Sequence, residues 1–190
     1  GTIAALGLSR PEMPGRRIIM AILISPMIVP IIITATGLFF FYSSIKIQDW
    51  GIPYLGVILA HATLGIPFVI ITVTATLVGF DHSLTKAAAN MGASPTRTFF
   101  KVQMPLILPG VISGALFAFV TSFDEVVVVL FVGGLDEQTI PRQMWNGIRE
   151  QISPAILSVA TILVIISIAL LTVVELLRRR SEKLRGMSPG

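Results

Sequence analysis

The sequence is dominated by long stretches of apolar residues. The first, residues 18–45, contains no charged side chain and exceeds the roughly 20 residues that a helix needs to cross a bilayer. Further stretches follow at 54–80, 109–132 and 155–177. Charged residues make up only 13% of the chain and the mean hydropathy is +0.87. Because lipid offers backbone groups no hydrogen-bond partner, these stretches predict four helical spans, 18–45, 54–80, 109–132 and 155–177, in a single all-α polytopic membrane helix bundle.

Composition also excludes several classes of function. The chain has no cysteine, so disulfides and thiolate metal sites are absent from it. It contains no HExxH or GxSxG motif, no phosphate-binding loop, and only two histidines, His61 and His82. We therefore expect a protein that is not an enzyme and binds no cofactor or metal itself. The net charge of +4 comes from basic residues that flank apolar stretches, which indicates membrane orientation signals and no nucleic-acid partner.

Basic residues are distributed unevenly between the two sides of the predicted bundle. One side carries Arg10, Arg16, Arg17, Lys86, Arg97, Lys101, Arg178, Arg179, Arg180, Lys183 and Arg185. The other side carries only Lys46, Arg142 and Arg149. Since cytoplasmic loops are enriched in lysine and arginine, we expect the 81–108 loop and the C-terminus to be cytoplasmic.

The polar loop between the second and third spans predicts two short helices joined by a hinge. The first is alanine-rich, and Gly92 supplies a position where the backbone can turn at low steric cost. Ser94 is suited to cap the second helix, with Pro95 in its first turn. We expect this helix to end at Pro105 and Pro109, so that the loop lies along the membrane surface.

The residue spacing in this loop resembles the EAA loop of ABC importer permeases. The matching positions are Ala87, Ala88, Gly92, Val102, Met104 and Pro105. In that family the loop is the coupling helix, which docks into a groove on the cytoplasmic ATPase subunit. The resemblance implies an ATPase contact through Lys86, Ala87, Ala88, Gly92, Ala93, Phe99, Val102 and Pro105. Lys86 stands where the family usually has glutamate, which either removes an ion pair with the ATPase or requires a compensating acid there.

The most costly residues in the spans are Asp124 and Glu125, because a carboxylate at the centre of a membrane helix costs about 2.5–3.5 kcal/mol. On a continuous helix one face would carry Gly110, Gly114, Thr121 and Glu125, with Asp124 at its edge. Gly110 and Gly114 form a GxxxG pattern, which predicts close helix packing. The acidic pair, with Thr121 beside it, contacts a cationic substrate, or forms a structural network with a partner subunit, or lies at the outer interface without a special role.

Three further residues inside the apolar stretches predict local features. His61 is alone in its span, which favours a hydrogen bond that packs two helices over a role in the substrate pathway or in pH sensing. Pro26 and Pro30 predict a kink in the first span.

Two segments near the C-terminal half carry a narrower resemblance. SFDEVVVVLFVGG at 122–134 and TIPRQMWNGIREQISPAILSVATILV at 139–164 are similar to the spermidine/putrescine-type permease subfamily, the second of two permease subunits in such importers. The resemblance implies a type I ABC importer permease-like fold with about six spans, of which the first one to two are missing here. It implies a polyamine importer of the bacterial inner membrane. Its other parts would be a sister permease, a dimer of ATP-binding subunits holding ATP and Mg²⁺, and an external substrate-binding protein.

Alternatives remain within transport and outside it. Carboxylates suit a polyamine because each ammonium group brings three donors and a positive charge. Ferric iron, thiamine or an opine could be the solute instead, whereas sulfate, phosphate or molybdate would be repelled. A structural membrane protein would explain the spans and the GxxxG pattern, but not the loop.

Overall fold

The computed structural model describes residues 1–10, 12–81, 83–150 and 153–184, and all regular elements in these ranges are helical. His82 and Arg185, named above, lie outside the described residues. Three helices are long and apolar enough to cross a membrane, and a fourth span is possible if one bent helix pair is counted as one. The prediction of an all-α polytopic bundle is therefore confirmed.

The first apolar stretch forms two helices where a single kinked span was expected. α1 (Thr2–Leu8) precedes it, and the stretch itself contains α2 (Arg16–Ile28) and α3 (Ile31–Ser44). The axes of α2 and α3 bend by 106° at an extended Val29 and Pro30. Proline has no amide to donate and forces the residue before it into extended backbone, so the helix stops there.

The axis of the bundle is α4 (Leu55–Val78), which lies inside the expected 54–80 stretch. Its N-terminal half packs against α3 and a six-residue helix, α8 (Val127–Val132), and its C-terminal half packs against α1 and α7 (Met104–Phe123). The two halves build separate apolar cores. The outer core is centred on Val57, Ala60, Leu64, Val128 and Val129, and the inner core on Ala5, Val73, Leu77 and Ile107.

The polar loop begins as predicted, with a short helix and a hinge. α5 (Ser83–Asn90) is followed by Gly92 at φ +80°, a left-handed backbone conformation that glycine adopts without steric penalty. Ser94 then caps α6 (Pro95–Thr98), its hydroxyl accepting a hydrogen bond from the Arg97 amide at 3.3 Å.

The second loop helix does not end at Pro105 and Pro109, contrary to expectation. From α6 the chain continues through a π-helical turn (Phe99–Gln103) into α7, so that one helical stretch covers Pro95–Phe123. Pro105 lies in the first turn of α7, directly after the π-helical turn. Such a turn shifts the backbone hydrogen bonds at the point where proline cannot donate one, which lets the helix continue.

The third span also stops earlier than 132, because α7 ends at Phe123 and α8 starts only at Val127. After a polar loop, α9 (Ile140–Glu150) precedes α10 (Pro154–Leu184), whose apolar part has no buried residue within this chain.

Small residues let α4 and α7 approach closely. A Cβ atom added at Gly110 would lie 2.9 Å from the Thr72 carbonyl oxygen, and one added at Gly114 would lie 2.7 Å from the Val69 Cα. Both neighbours are backbone atoms of α4, which cannot shift without a substantial energetic cost. A Cβ atom added at Gly65 of α4 would lie 2.9 Å from the Ala118 Cβ atom of α7. The interface is thus held by close backbone packing, as GxxxG patterns allow.

Substitution of Gly114 by alanine should separate α4 from α7. We expect Gly114→Ala and Gly110→Ala each to lower the stability of the protein in detergent by about 1–3 kcal/mol, the usual cost of overpacking. Thermal unfolding of the purified protein measures the effect. Gly37→Ala is the control, because no heavy atom lies within 4 Å of a Cβ at this α3 position. Equal unfolding temperatures for all three variants would contradict the proposed packing.

Candidate functional site

The acidic pair lies in a break between two helices. α7 ends with Asp124 as its capping residue, at φ −100° and ψ 4°, and α8 begins at Val127. Glu125 therefore does not continue the helical face of Gly110 and Gly114, contrary to the sequence-based expectation. The aspartate and glutamate side chains can compete for backbone amides, and the valines that follow are weak helix formers, so the helix stops here.

The two carboxylates have different environments. Asp124 is exposed, whereas the Glu125 side chain is buried, with the residue only 8% exposed. One carboxylate oxygen of Glu125 accepts a hydrogen bond from the Val128 amide at 2.7 Å. Glu125 therefore satisfies an amide in the first turn of α8, and only Asp124 presents an open carboxylate.

A polar contact joins α4 to the last turn of α7. The His61 Nδ1 atom lies 2.6 Å from the Ser122 Oγ atom, so the hydrogen bond between helices that the sequence favoured for His61 is present. The His61 Nε2 atom is buried and has no hydrogen-bond partner among the described residues.

Asp124 lines a cleft of about 440 Å³ between the end of α7, α9 and α10. Aromatic and sulfur-containing side chains surround it, including Phe123, Met144 and Trp145. The other polar side chain in the lining is Ser167, whose hydroxyl donates to the Leu163 carbonyl at 2.8 Å and keeps its lone pairs available. Thr121 is half-buried on α7 but is not part of this lining.

The residues of the polar loop divide into an inward and an outward set. Ala88 is buried, Ala93, Phe99 and Val102 are half-buried, and Phe99 packs on the inner core. Lys86, Ala87, Gly92 and Pro105 are exposed. Three apolar side chains that the sequence analysis did not single out, Leu84, Met91 and Phe100, are exposed in the same segment.

Comparison with known proteins decides the family. Residues 1–185 match the family described as binding-protein-dependent transport system inner membrane component. The chain belongs to this family. It is therefore a multi-pass inner membrane permease subunit and not itself an enzyme.

Individual relatives of this permease carry different solute names. It is 31% identical over 182 residues to the spermidine/putrescine transport system permease protein PotC of Haemophilus influenzae, covering 96% of this chain and 70% of PotC. It is 32% identical over 168 residues to the putrescine transport system permease protein PotI of Escherichia coli, covering 86% and 59%. It is also 32% identical over 204 residues to the molybdenum transport system permease protein ModB of Escherichia coli, covering 98% and 87%. Identity alone therefore does not select the solute.

A second polar network organises the loop between α8 and α9 of the permease. The Glu137 carboxylate accepts hydrogen bonds from the amides of Tyr54 and Gly134. The buried Arg142 guanidinium donates from Nη1 to the carbonyls of Gly134 at 2.8 Å and Glu137 at 2.9 Å. The network ties the start of α4 to α9. Sequence reasoning missed this network, because the acceptors of Arg142 are backbone carbonyls, which residue type does not reveal.

Loss of the Arg142 side chain should loosen this loop. We expect Arg142→Ala to increase amide hydrogen exchange in residues 133–139, since two half-buried carbonyls lose their donor, at a cost of about 1–3 kcal/mol. Hydrogen exchange followed by mass spectrometry measures the change. Arg149→Ala, an exposed position on the same helix, should leave this segment unchanged. Equal exchange in the two variants would show that Arg142 does not hold the loop.

Proposed function

We propose that the chain is the transmembrane permease subunit of an ATP-driven importer that moves polyamines such as spermidine and putrescine. The observation that carries the proposal is a single exposed carboxylate, Asp124, in a cleft whose other lining side chains, apart from Ser167, are aromatic or apolar. The similarity to PotC and PotI supports the same solute class.

The cleft offers what a polyamine needs when it leaves water. The Asp124 carboxylate can replace the counter-charge of one ammonium group and accept its hydrogen bonds. The ring of Trp145 adds an attraction for the cation, worth about 0.5–2 kcal/mol. Phe123 and Met144 provide apolar surface for the methylene segments. Another organic cation, such as thiamine, would also find a counter-charge at Asp124, whereas molybdate would meet a like charge there.

The polar loop is proposed to dock on the partner ATPase. Met91 and Phe100 are 82% and 61% exposed, and Lys86 and Arg97 lie in the same segment. This combination suits a groove with an apolar floor and acidic rim, and the acidic rim would provide the compensating partner for Lys86. Because residues 95–123 form one helical stretch, movement of the docked α6 is transmitted directly to the end of α7 beside Asp124.

The other proposed partners follow from surfaces that this chain leaves uncovered. The apolar part of α10 has no buried residue in the chain, so lipid and a sister permease would surround it. An external substrate-binding protein would deliver the solute from the side of the loop between α8 and α9. ATP and Mg²⁺ would be bound by the ATPase dimer.

Removal of the charge at Asp124 should impair polyamine import. The full-length permease is reconstituted in vesicles with its sister permease, ATPase and binding protein, and ATP hydrolysis and uptake are recorded with putrescine, spermidine, thiamine, ferric citrate and molybdate. We expect stimulation by polyamines and a decrease of about tenfold or more in uptake for Asp124→Asn, because a charged hydrogen bond is lost. Asp49→Asn, at an exposed position in the loop before α4, is the matched control. Unchanged uptake in Asp124→Asn would remove Asp124 from the site, and stimulation by molybdate alone would refute the solute class.

The proposed orientation places the polar loop in the cytoplasm. Since the chain has no cysteine, single cysteines can report sidedness. We expect Met91→Cys to react with a membrane-impermeant thiol reagent only in inside-out vesicles. Leu135→Cys, at a position that is 90% exposed in the loop between α8 and α9, should react only in intact cells or right-side-out vesicles. The reverse pattern would refute the orientation.

A further inference from the structure

The short helix α8 depends on the Glu125 carboxylate. Its residues Val128 and Val129 are completely buried in the outer core, so water does not reach the first turn of the helix. A buried amide needs an acceptor, and the Val128 amide finds it in Glu125 at 2.7 Å. If Glu125 turned to bind a solute, this amide would lose its acceptor.

On the α7 side of the break, a hydrogen bond between His61 and Ser122 stabilises the end of the helix. Ser122 lies one residue before the end of α7, and its hydroxyl is 2.6 Å from the ring of His61 on α4. The last turn of α7 is therefore tied to the central helix, and the first turn of α8 is tied to Glu125.

Asp124 lies between these two fastened turns and is the exposed residue of the pair. We infer that Glu125, His61 and Ser122 are positioning residues, which fix the helix break so that the Asp124 carboxylate faces the cleft. The acidic pair thus has a division of roles: Asp124 meets the cation and Glu125 holds the backbone. This inference rests on the proposed function for the role of Asp124, but the geometry it assigns can be tested without transport.

Substitution of each carboxylate by its isosteric amide tests the roles of Asp124 and Glu125 separately. Glutamine at 125 keeps an oxygen that can accept from the Val128 amide and removes only the charge, whereas leucine removes the acceptor as well. In the reconstituted complex we expect Glu125→Gln to keep uptake within about twofold of wild type and Glu125→Leu to lose about tenfold or more. Asp124→Asn is the matched variant in which the same chemical change should abolish most of the uptake. If Glu125→Gln is as defective as Asp124→Asn, Glu125 binds the solute and the inference is overturned.

A labelling experiment tests the positioning role without measuring transport. It therefore does not depend on the solute, and it also addresses variants that assemble poorly. In this cysteine-free chain, the Asp124→Cys variant is reacted with a membrane-impermeant, positively charged thiosulfonate reagent in the assembled complex, and the modification rate is followed by mass spectrometry. We expect Ser122→Ala and His61→Phe, each added to this variant, to change the rate of thiol modification by about threefold or more, because one tie of the break is lost. Thr63→Ala, which removes a hydroxyl bonded only to its own helix, should leave the rate unchanged.

The two experiments distinguish the failure of the inference from that of the proposed function. If polyamines do not stimulate the complex but Ser122→Ala and His61→Phe alter the rate of thiol modification, the proposed solute is refuted and the positioning role is supported. A complex that transports polyamines but labels at the same rate in all backgrounds overturns the positioning role and keeps the solute.

Discussion

The structure depends on one constraint: inside a bilayer, every backbone amide must find its acceptor within the protein. The chain interrupts its apolar helices at two places and distorts them at a third, and each place has a local solution. At the first break, Pro30 has no backbone N–H group, so this residue needs no hydrogen-bond acceptor. Before Pro105 a π-helical turn rearranges the hydrogen bonds without ending the helix. At the second break, between α7 and α8, Glu125 accepts a hydrogen bond from the Val128 amide.

These solutions are arranged around a central helix. α4 carries an outer core on its first half and an inner core on its second half, and close backbone packing at Gly110 and Gly114 fixes α7 beside it. The His61 to Ser122 hydrogen bond lies further along the same pair of helices, near the point where α7 stops. The helix break that carries Asp124 therefore lies at the end of a closely packed helix pair, and α9 and α10 complete the cleft. The exposed part of the polar loop, which is proposed to meet the ATPase, is not part of the cleft lining.

The sequence was sufficient to predict features that follow from composition and local chemistry. Apolar length predicted the bundle, the Gly92 hinge and the Ser94 cap were readable from residue type, and the EAA-like and SFDE segments pointed to the permease family that the comparisons show.

The features that sequence reasoning missed depend on how prolines and carboxylates are satisfied in three dimensions. Pro105 was expected to end a helix that continues, because a π-helical turn has no sequence signature as strong as proline itself. Glu125 was placed on a helical face, although its own side chain helps to start the next helix. The Arg142 network is formed with backbone carbonyls, so the residue types in the sequence did not indicate it.

The single open carboxylate in the cleft has a consequence for the speed of transport. A polyamine carries several positive charges, but the described part of the cleft offers it one fixed negative partner in Asp124. The molecule would be bound at one end while its remaining charges stay poorly compensated, so its dwell time in the cleft would be short. A conduit must bind its cargo strongly enough to admit it and weakly enough to let it go. Under the proposed function, high affinity would be the task of the protein that captures the solute outside, and the permease would gain turnover by binding it weakly.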